Sequence, residues 1–570
     1  MPLQPSVSAS SHVSPQPDPA AIVGPLLRWV DETSATVWME TSAPCEVAVL
    51  GRSQPTFSVL GHHYGLVAID GLEPGTRYPY EVRLDGRLAW PPSGSDQPVS
   101  VIATRSAKEE LRLAFGSCRV AGPRDMPLGI DRLLRRYDPD LDALAAFAER
   151  LRYLDHAEWP HMLLLMGDQV YADDVPRATR RAMRKRRGGN VPESQSVSDF
   201  EDYTQLYRDS WTEPALRWLY STLPSAMIFD DHELVDDWDT SAAWVAEKRA
   251  TPGWDARLTG ALMSYWIYQH LGNLSPDELA TDRLYQGMLT DGDGTERLRT
   301  HVRQYDRDHT GSRWAFRRDF GDVRLLVLDT RATRVLEEGQ RDMLDPAEWR
   351  WLEDNIAGAR HLLIASSVPV IYALGFHHVQ AWSERVAAGA WGARAARFAE
   401  HARRALSLSG WPSFGASFSR LTDLVAALGA GRLGVPPQSI TLLSGDVHHG
   451  YVARLRWPPR EGVRSTVHQV VTSPFRNPLM PHERLAQRLA ASTLGGHVLG
   501  LLARSAGVPR VDLRWRRLEG IDFANQISTL RLDEGGVELH TEAAGHSAGA
   551  GRAAGGTPGR LRTLWRRRLA

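Results

Sequence analysis

Four apolar runs, each followed at once by acidic or histidine-bearing residues, constrain this 570-residue chain more than any other feature. A continuous apolar run is typical of a strand that is buried on both faces of a sheet. Because ligands of open sheets gather beyond the carboxyl ends of the strands, we expect the four following segments to meet in one cleft. Those segments are Gly167-Asp168-Gln169-Val170-Tyr171, Asp230-Asp231-His232-Glu233, Asp329-Thr330-Arg331 and Gly445-Asp446-Val447-His448-His449.

The side chains in these segments are mostly carboxylate, phenolate and imidazole groups, which suit hard and borderline metal ions. Asp168 and Tyr171 lie three residues apart, so one bend after the strand can direct both to one ion. A phenolate ligand favours Fe(III), because a trivalent ion removes the phenol proton more readily than a divalent ion does. Cys118, at the end of another apolar run, is equally consistent with a thiolate ligand and with a buried, unreactive thiol. The sequence therefore predicts a metal-dependent hydrolase.

The charge balance excludes recognition by a strong overall field. Lys and Arg number 67 against 68 Asp and Glu, a formal net charge of -1, so we predict no specific nucleic-acid binding. The two cysteines, Cys45 and Cys118, form no disulfide framework and are typical of a reducing compartment. The N-terminus has no visible signal peptide, and no apolar run is long enough for a transmembrane helix. We expect a cytoplasmic protein, and the sequence does not predict its oligomeric state.

Changes in composition and in the pattern of apolar residues along the chain predict four parts. Residues 1–20 are rich in Ser and Pro and are predicted to be a disordered leader. Short alternating runs over residues 21–107 predict a small β-sandwich, whose segment Leu72–Tyr78 resembles the corner tyrosine of fibronectin type III domains. Residues 108–542 alternate apolar strands with helix-like stretches and predict an α/β catalytic domain. Residues 543–570 are predicted to be a disordered basic tail, with a basic amphipathic surface anchor as the alternative.

Taken in order, five motifs resemble the alkaline phosphatase D (PhoD-like) family of the calcineurin-like metallophosphoesterases, over about residues 22–540. The resemblance implies a four-layer α/β/β/α sandwich preceded by the small fibronectin type III-like sandwich. It also implies hydrolysis of phosphate esters at a site that holds Fe(III) with Ca(II) or another divalent metal, for which Mg, Mn and Zn are the alternatives. The motifs are Gly116-Ser117-Cys118, Gly167-Asp168-x-x-Tyr171, Asp230-Asp231-His232-Glu233, Leu328-Asp329-Thr330-Arg331 and Ser444-Gly445-Asp446-Val447-His448.

The resemblance also implies a ligand set. Cys118, Asp168 and Tyr171 would hold the iron, with Asp168 bridging to the second metal. The remaining predicted metal ligands are Asp231, Asp446 and His448.

One departure from the wider superfamily bears on the second metal. Purple acid phosphatases, the relatives with a tyrosinate-bound iron, contribute a further histidine from a His-x-Pro segment. The comparable stretch here, Ala365-Ser366-Ser367-Val368-Pro369, has serine instead. We therefore expect a second site rich in oxygen ligands, which favours Ca(II) or Mg(II) over Zn(II).

The remaining candidates would act on the substrate. His232 is predicted to protonate or orient the leaving oxygen, with Glu233 as its orienting partner, and a structural histidine is the alternative. Arg331 is predicted to bind phosphate through its planar donors, unless it forms a purely structural pair with Asp329. Weaker candidates for the substrate site are Arg119 and His449.

Three questions stay open at the level of sequence. The expected substrate is a small phosphate ester or a phosphodiester, and the choice between phosphomonoesterase and phosphodiesterase depends on the shape of the pocket. A non-catalytic metal-binding scaffold and a haloperoxidase-like oxidant activity on the same iron are the alternative functions. The seven basic residues within 177–187 predict either a solvated helix or flexible insertion, or a cationic flap over an anionic substrate.

Overall fold

The computed structural model describes residues 18–106, 109–122, 141–188, 197–545 and 560–570. Residues 1–17 of the predicted leader lie outside these ranges. Within the described residues, every helix is too short or too polar to span a bilayer.

The N-terminal strands form two facing sheets. They are β1 (Ala21–Val30), β2 (Ala35–Thr41), β3 (Glu46–Val49), β4 (Arg52–Pro55), β5 (Phe57–Val59), β6 (His62–Ile69), β7 (Arg77–Pro79), β8 (Val82–Leu84), β9 (Arg87–Trp90) and β10 (Val101–Ala103). One sheet has the order β1-β2-β6-β5, a second has the order β4-β3-β8-β9, and β7 pairs with β10. Both four-stranded sheets contribute to one buried core that includes Leu27, Val37, Val47, Val67 and Val82.

Two hydrogen bonds illustrate how this sandwich is held. The hydroxyl of Tyr78 accepts from the backbone N–H of Glu73 at 2.7 Å, the contact that a corner tyrosine makes. The likeness to fibronectin type III domains itself stays a prediction. The buried side chain of Arg28 leaves the sandwich and donates to the carbonyl oxygens of Ser225 and Tyr268 at 3.0 and 2.7 Å. The sandwich is thus joined to the rest of the chain by buried polar contacts.

Two further sheets carry the rest of the chain. Their strands are β11 (Leu111–Gly116), β12 (Met162–Met166), β13 (Ser225–Ile228), β14 (Phe316–Phe320), β15 (Val323–Leu328), β16 (His361–Ser366), β17 (Ser439–Ser444), β18 (Gly450–Arg456), β19 (Thr466–Val471), β20 (Arg514–Asp522), β21 (Gln526–Asp533), β22 (Gly536–Gly545) and β23 (Arg560–Arg568). The six-stranded sheet has the order β13-β12-β11-β21-β22-β23, and the seven-stranded sheet has the order β14-β15-β16-β17-β19-β18-β20. All four apolar runs singled out in the sequence are strands, at β12, β13, β15 and β17.

The two sheets share a core. In β16, Leu363 and Ala365 belong to the cluster that includes Phe115 and Leu165 of the six-stranded sheet. Leu362 and Ile364, which alternate with them, belong to a second cluster with the helices on the other face. The mixed α/β architecture predicted from the sequence is confirmed, and the predicted order of four layers stays a prediction.

The helices of the described residues are α1 (Ala143–Leu151), α2 (Arg177–Arg186), α3 (Phe200–Trp211), α4 (Pro214–Thr222), α5 (Ala242–Arg249), α6 (Trp254–Tyr265), α7 (Pro276–Thr281), α8 (Arg283–Asp291), α9 (Thr295–Asp308), α10 (Pro346–Asn355), α11 (Leu374–Ala387), α12 (Ala393–Ala405), α13 (Gly415–Ala430), α14 (Pro481–Ala490) and α15 (Thr493–Ser505). Local sequence explains several starts. At α10 the Asp345 carboxylate accepts from the N–H groups of Ala347 and Glu348, and Pro346 occupies the first turn.

The prediction of a disordered tail over 543–570 is wrong for its described ends. Strand β22 continues through residue 545, and residues 560–568 form β23, which pairs antiparallel with it. Leu561 and Trp565 pack against the main core, and the Arg566 guanidinium pairs with Glu538 at 2.5 Å. Leu561, Leu564 and Trp565 are partly buried, whereas four of the five arginines of the strand are exposed. Residues 546–559 lie outside the described part.

The basic segment 177–187 is a helix tied to its neighbour. On α2, Arg186 pairs with Asp199 and Asp202 at 2.7 Å, and Arg187 also contacts Asp202. Two guanidinium groups of the segment thus face the start of α3. These contacts favour the interpretation of the segment as a helix on the surface over its interpretation as a cationic flap.

Candidate metal centre

In each of the two large sheets, the parallel strands end side by side, so the segments with the candidate site residues begin at the carboxyl ends of neighbouring strands. In the six-stranded sheet β11, β12 and β13 run parallel, with Gly116 beside Leu165 and Met166 beside Ile228. In the seven-stranded sheet Leu328, Ser366 and Ser444 are neighbours at the ends of β15, β16 and β17. The predicted convergence of these loops on one cleft is therefore observed.

Two glycines allow the loops to approach closely. A Cβ at Gly167 would lie 2.6 Å from Asp230 Oδ2, and the φ of Gly167 is +136°. A Cβ at Gly445 would lie 2.1 Å from Ser117 Oγ and 2.9 Å from the carbonyl oxygen of Met166. Only glycine fits at these two positions, because a side chain would push the loops that carry the candidate ligands apart.

Two groups of candidate ligands result, and a third group of Asp168, Asp231 and His232 shares one member with each of them. Cys118, Asp168 and His448 offer ligand atoms that all lie within 4.8 Å of one another, and so do Asp230, Asp231 and Asp446. Tyr171 packs against Cys118. All six predicted metal ligands are thus in the cleft, together with Asp230, which was not predicted.

Each of three buried carboxylates has one oxygen held by the protein and one that is not. Asp168 Oδ1 accepts from the backbone N–H of His232 at 3.2 Å, and Asp231 Oδ2 accepts from the backbone N–H of Asp237 at 2.8 Å. Asp230 Oδ1 accepts from Arg331 Nε at 2.6 Å. Within the described residues, the other oxygens have no hydrogen-bond donor: Asp168 Oδ2, Asp230 Oδ2 and Asp231 Oδ1. Such buried acceptors are costly unless a cation satisfies them, so these residues fit a metal site.

Burial and the crowding of acidic groups raise the pKa values of several candidate ligands. Burial raises the pKa of Asp168 and of Asp446 well above the usual range, and neighbouring carboxylates add to the effect. Burial likewise raises the pKa of the Cys118 thiol, with Asp168 as the next cause. A bound cation would reverse each of these costs, because it favours the ionised form of every group.

The Arg331 guanidinium lies among the carboxylates. Its nitrogens contact Asp230 at 2.6 Å and Asp231 and Asp446 at 3.2 Å each, and the side chain is buried. Asp329 does not pair with this guanidinium; its Oδ1 accepts from the backbone N–H of Arg331 and shapes the turn. Arg331 is in the predicted site, but its donors face carboxylates.

Three of the ligand positions have a left-handed backbone. Cys118, Asp446 and His448 have φ values of +60°, +61° and +52°. This region costs energy for any residue with a side chain, and such residues gather where function requires a fixed geometry.

His232 is oriented by a residue that the sequence interpretation missed. Its Nδ1 hydrogen bonds to Asp173 Oδ1 at 2.8 Å. The expected partner, Glu233, instead accepts from the backbone N–H groups of Asp230 and Gln169 at 3.1 and 2.8 Å, and so joins two loops that carry candidate ligands. The orienting role predicted for Glu233 is therefore corrected to Asp173. Burial alone would lower the pKa of His232, but Asp173 and Asp168 raise it well above its usual range.

Arg119 and His449, the weaker candidates for the substrate site, make hydrogen bonds to other parts of the protein. The buried Arg119 guanidinium pairs with Asp142 at 2.7 Å and with Glu213 at 2.5 Å, so it makes structural contacts in place of the predicted phosphate contact. His449 is buried, and its Nδ1 hydrogen bonds to the carbonyl oxygen of Val447 at 2.6 Å. Burial lowers the pKa of His449 to about 4, so the ring is neutral at pH 7. His449 is therefore not a surface residue.

The missed residues stand beside the predicted ones in the sequence. Asp173 follows Tyr171 in the same loop, and Asp236 and Asp237 follow the Asp230–Glu233 segment. The acidic density of these stretches is a signal that sequence reading could have used. Asn477 Nδ2 lies 3.3 Å from His448 Nε2, which no local pattern indicates.

Comparisons with known proteins identify the family of the chain. A family model described as "Domain of unknown function (DUF7800)" matches residues 18–102. The model of the PhoD-like phosphatases matches residues 149–497, more than half of the chain. None of the curated proteins matches this chain. A solved structure entitled "Structure of PhoD" is similar in fold, with a TM-score of 0.53 and 12% identity over 97% of this chain and 94% of that one. The chain belongs to the PhoD-like phosphatase family.

Proposed function

We propose that the chain hydrolyses phosphate monoesters, diesters or both in the cleft beyond the strands, with metal ions bound there. The observation that carries the proposal is the set of three buried carboxylates, each with one oxygen held by the protein and the other without a donor among the described residues. This arrangement presents preoriented anionic oxygens to a cation.

The ligand chemistry supports two different ions. Cys118, Asp168, Tyr171 and His448 would hold Fe(III). Asp231 and Asp446 would hold Ca(II), with Mg, Mn or Zn as alternatives, and Asp168 would lie between the ions. When bound, the ions neutralise phosphate charge and lower the pKa of a bound water molecule, which supplies the nucleophile.

Two residues of the chain would act around the ions. Asp173 holds His232 through Nδ1, and Nε2, which lies 3.7 Å from Asp236 Oδ1, would give a proton to the leaving oxygen. Arg331, expected from the sequence to bind phosphate, would position the carboxylates, because its donors fix one oxygen on each of Asp230, Asp231 and Asp446.

Metal analysis of the purified protein tests the proposal together with hydrolysis of 4-nitrophenyl phosphate and bis(4-nitrophenyl) phosphate. We expect stoichiometric iron, a second metal and a visible charge-transfer band. Tyr171→Phe should remove the band, since phenolate is its source. Tyr285→Phe is the matched control, because Tyr285 is also buried but its hydroxyl donates to the carbonyl oxygen of Leu66, far along the chain.

The same experiment separates the alternatives. A colourless, iron-free and fully active protein would refute the iron assignment. Bound metals without hydrolysis of either ester would favour the metal-binding scaffold, and iron-dependent oxidation of halide without hydrolysis would favour the haloperoxidase-like activity. The ratio of the two hydrolysis rates reports the preference for monoester or diester.

A further inference from the structure

A cavity of about 680 Å³ lies away from the metal centre, between α11, α13, α15 and the segment that leads into β20. Its apolar wall includes Leu374, Phe418, Leu513 and Trp515. None of the candidate metal ligands in the described residues lines it. The volume is in the range of pockets that enclose small organic ligands.

Two residues of the lining each have a buried nitrogen without a hydrogen-bond partner within the described residues. His377 Nδ1 is one, and this buried ring packs against Phe418 and Trp515 with centroids 4.9 and 4.8 Å apart. Arg341 Nη1 is the other, in a side chain that is 5% exposed. Its nearest carboxylate oxygen, on Glu338, is 3.8 Å away. Arg341 is nevertheless fixed, since its Nη2 donates to the carbonyl oxygen of Thr240 at 3.1 Å.

The charges around the cavity favour an anion. Its lining contains the guanidinium groups of Arg341, Arg385, Arg504 and Arg510, against the carboxylates of Glu338 and Glu384. Both carboxylates already have partners. Glu338 pairs with the buried Arg403 at 2.8 Å, and Glu384 accepts from the backbone N–H of Gly415 at 2.9 Å.

Burial makes the inner guanidinium costly. Burial, and then the nearby Arg403, lower the pKa of Arg341 to about 9, so the group is still charged at pH 7. An anion beside Nη1 would satisfy the donor and offset this cost, because charge-assisted hydrogen bonds are strong where water is excluded.

We propose that this cavity binds an amphipathic organic anion, a small molecule with a carboxylate or sulfonate head and an aromatic or acyl body. The head group accepts hydrogen bonds from Arg341 Nη1 and His377 Nδ1, and the body lies against Phe418, Trp515 and Leu374. The exposed arginines at the rim attract the anion before it enters. The site does not depend on the proposed hydrolysis.

Fluorescence titration of the full chain with 8-anilinonaphthalene-1-sulfonate tests the proposal. We expect one site, from which decanoate displaces the probe while decanol, without a charge, displaces it at least tenfold less effectively. Arg341→Met should weaken binding at least tenfold. Arg420→Met is the matched control, since Arg420 lies on α13 outside the lining and pairs with Glu353.

Two further variants keep the test decisive if Arg341→Met does not fold. Ala416→Trp adds bulk at an exposed position of the lining and should also block the probe. Leu501→Ser alters the exposed outer face of α15 and should leave binding unchanged. The proposal is overturned if Ala416→Trp binds like the wild type, if Leu501→Ser abolishes binding, or if decanol competes as well as decanoate. Binding that persists in Asp168→Asn separates this site from the metal centre.

Discussion

At the scale of single residues, the cleft contains three buried carboxylates that the protein holds by one oxygen each. Asp168 is central, because it belongs both to the group with Cys118 and to a group with Asp231 and His232. Its buried carboxylate has a raised pKa, so ionising it without a cation is unfavourable. Replacing the Asp168 carboxylate should therefore weaken metal binding, whereas the metal-free protein should not lose stability.

Asp168→Asn tests this opposition. Turnover on 4-nitrophenyl phosphate should fall by about two orders of magnitude or more, since even partners of metal ligands are worth 10–100-fold. The metal-free variant should melt no lower than the metal-free wild type, because the amide removes a buried charge of raised pKa. Calorimetry of both chelated proteins measures this. Retained activity with normal metal content would mean that Asp168 is structural.

His232→Ala separates a proton donor from a ligand. If His232 protonates the leaving oxygen, esters of basic alcohols should lose about 10²–10⁴-fold in rate, whereas esters of acidic phenols should lose little. Metal content should stay normal. Equal losses on both kinds of ester, or loss of metal, would move His232 into the coordination sphere.

Asp173→Asn tests the partner of that histidine. The asparagine side chain keeps the shape of Asp173, but its neutral amide no longer orients the His232 ring or favours the charged form of that ring. The variant should therefore show the leaving-group dependence of His232→Ala in weaker form. Asp174→Asn, one residue away, is the matched control and should leave the ratio of the two ester rates unchanged. An Asp173→Asn variant with the wild-type ratio would contradict the orienting role.

At the scale of elements, the last strand closes a sheet edge. Strand β23 pairs along β22, and Leu569 just beyond it is buried. Without β23, the N–H and C=O groups along one edge of β22 would lack partners, which invites association with other chains. Strand β23 is thus part of the six-stranded sheet.

Removal of residues 546–570 tests the contribution of that strand. The free energy of unfolding should fall by about 3 kcal/mol, from lost burial of Leu569 and partial burial of Leu561 and Trp565. Denaturant titration measures the loss, and light scattering should show association. Arg562→Gln, at an exposed position of β23, should leave both unchanged. A truncated protein as stable as the full chain would show that β23 is dispensable.

At the scale of the whole molecule, a histidine links the N-terminal sandwich to the catalytic region. His62 on β6 hydrogen bonds to Glu40 and to Glu201 of α3, each at 2.9 Å. Burial alone would lower its pKa, but the two carboxylates outweigh burial and raise it. Buried contacts such as those of Arg28 make the sandwich a fixed support for the six-stranded sheet.

The raised pKa of His62 sets the sign of a pH dependence. The stabilisation that His62 contributes is fully present below a pH of about 6.5, the pKa of histidine in the unfolded chain. It is lost as the pH rises through the higher pKa of His62 in the folded protein. The stability difference between wild type and His62→Gln, about 1 kcal/mol at pH 6, should therefore shrink by pH 9. Thermal unfolding across this range measures it. A difference that grows with pH would contradict the linkage.

The sequence by itself located the strands that end at the cleft and most of the candidate metal ligands. Asp168, Tyr171, Asp231 and His448 directly follow apolar runs, so a local pattern locates them and parallel pairing brings them together. Only the tertiary structure decided which side chain faces which, because such contacts join residues that are distant in the chain. Arg331 reaches Asp230 across 101 positions, and the basic tail is ordered only because β22 offers it an edge.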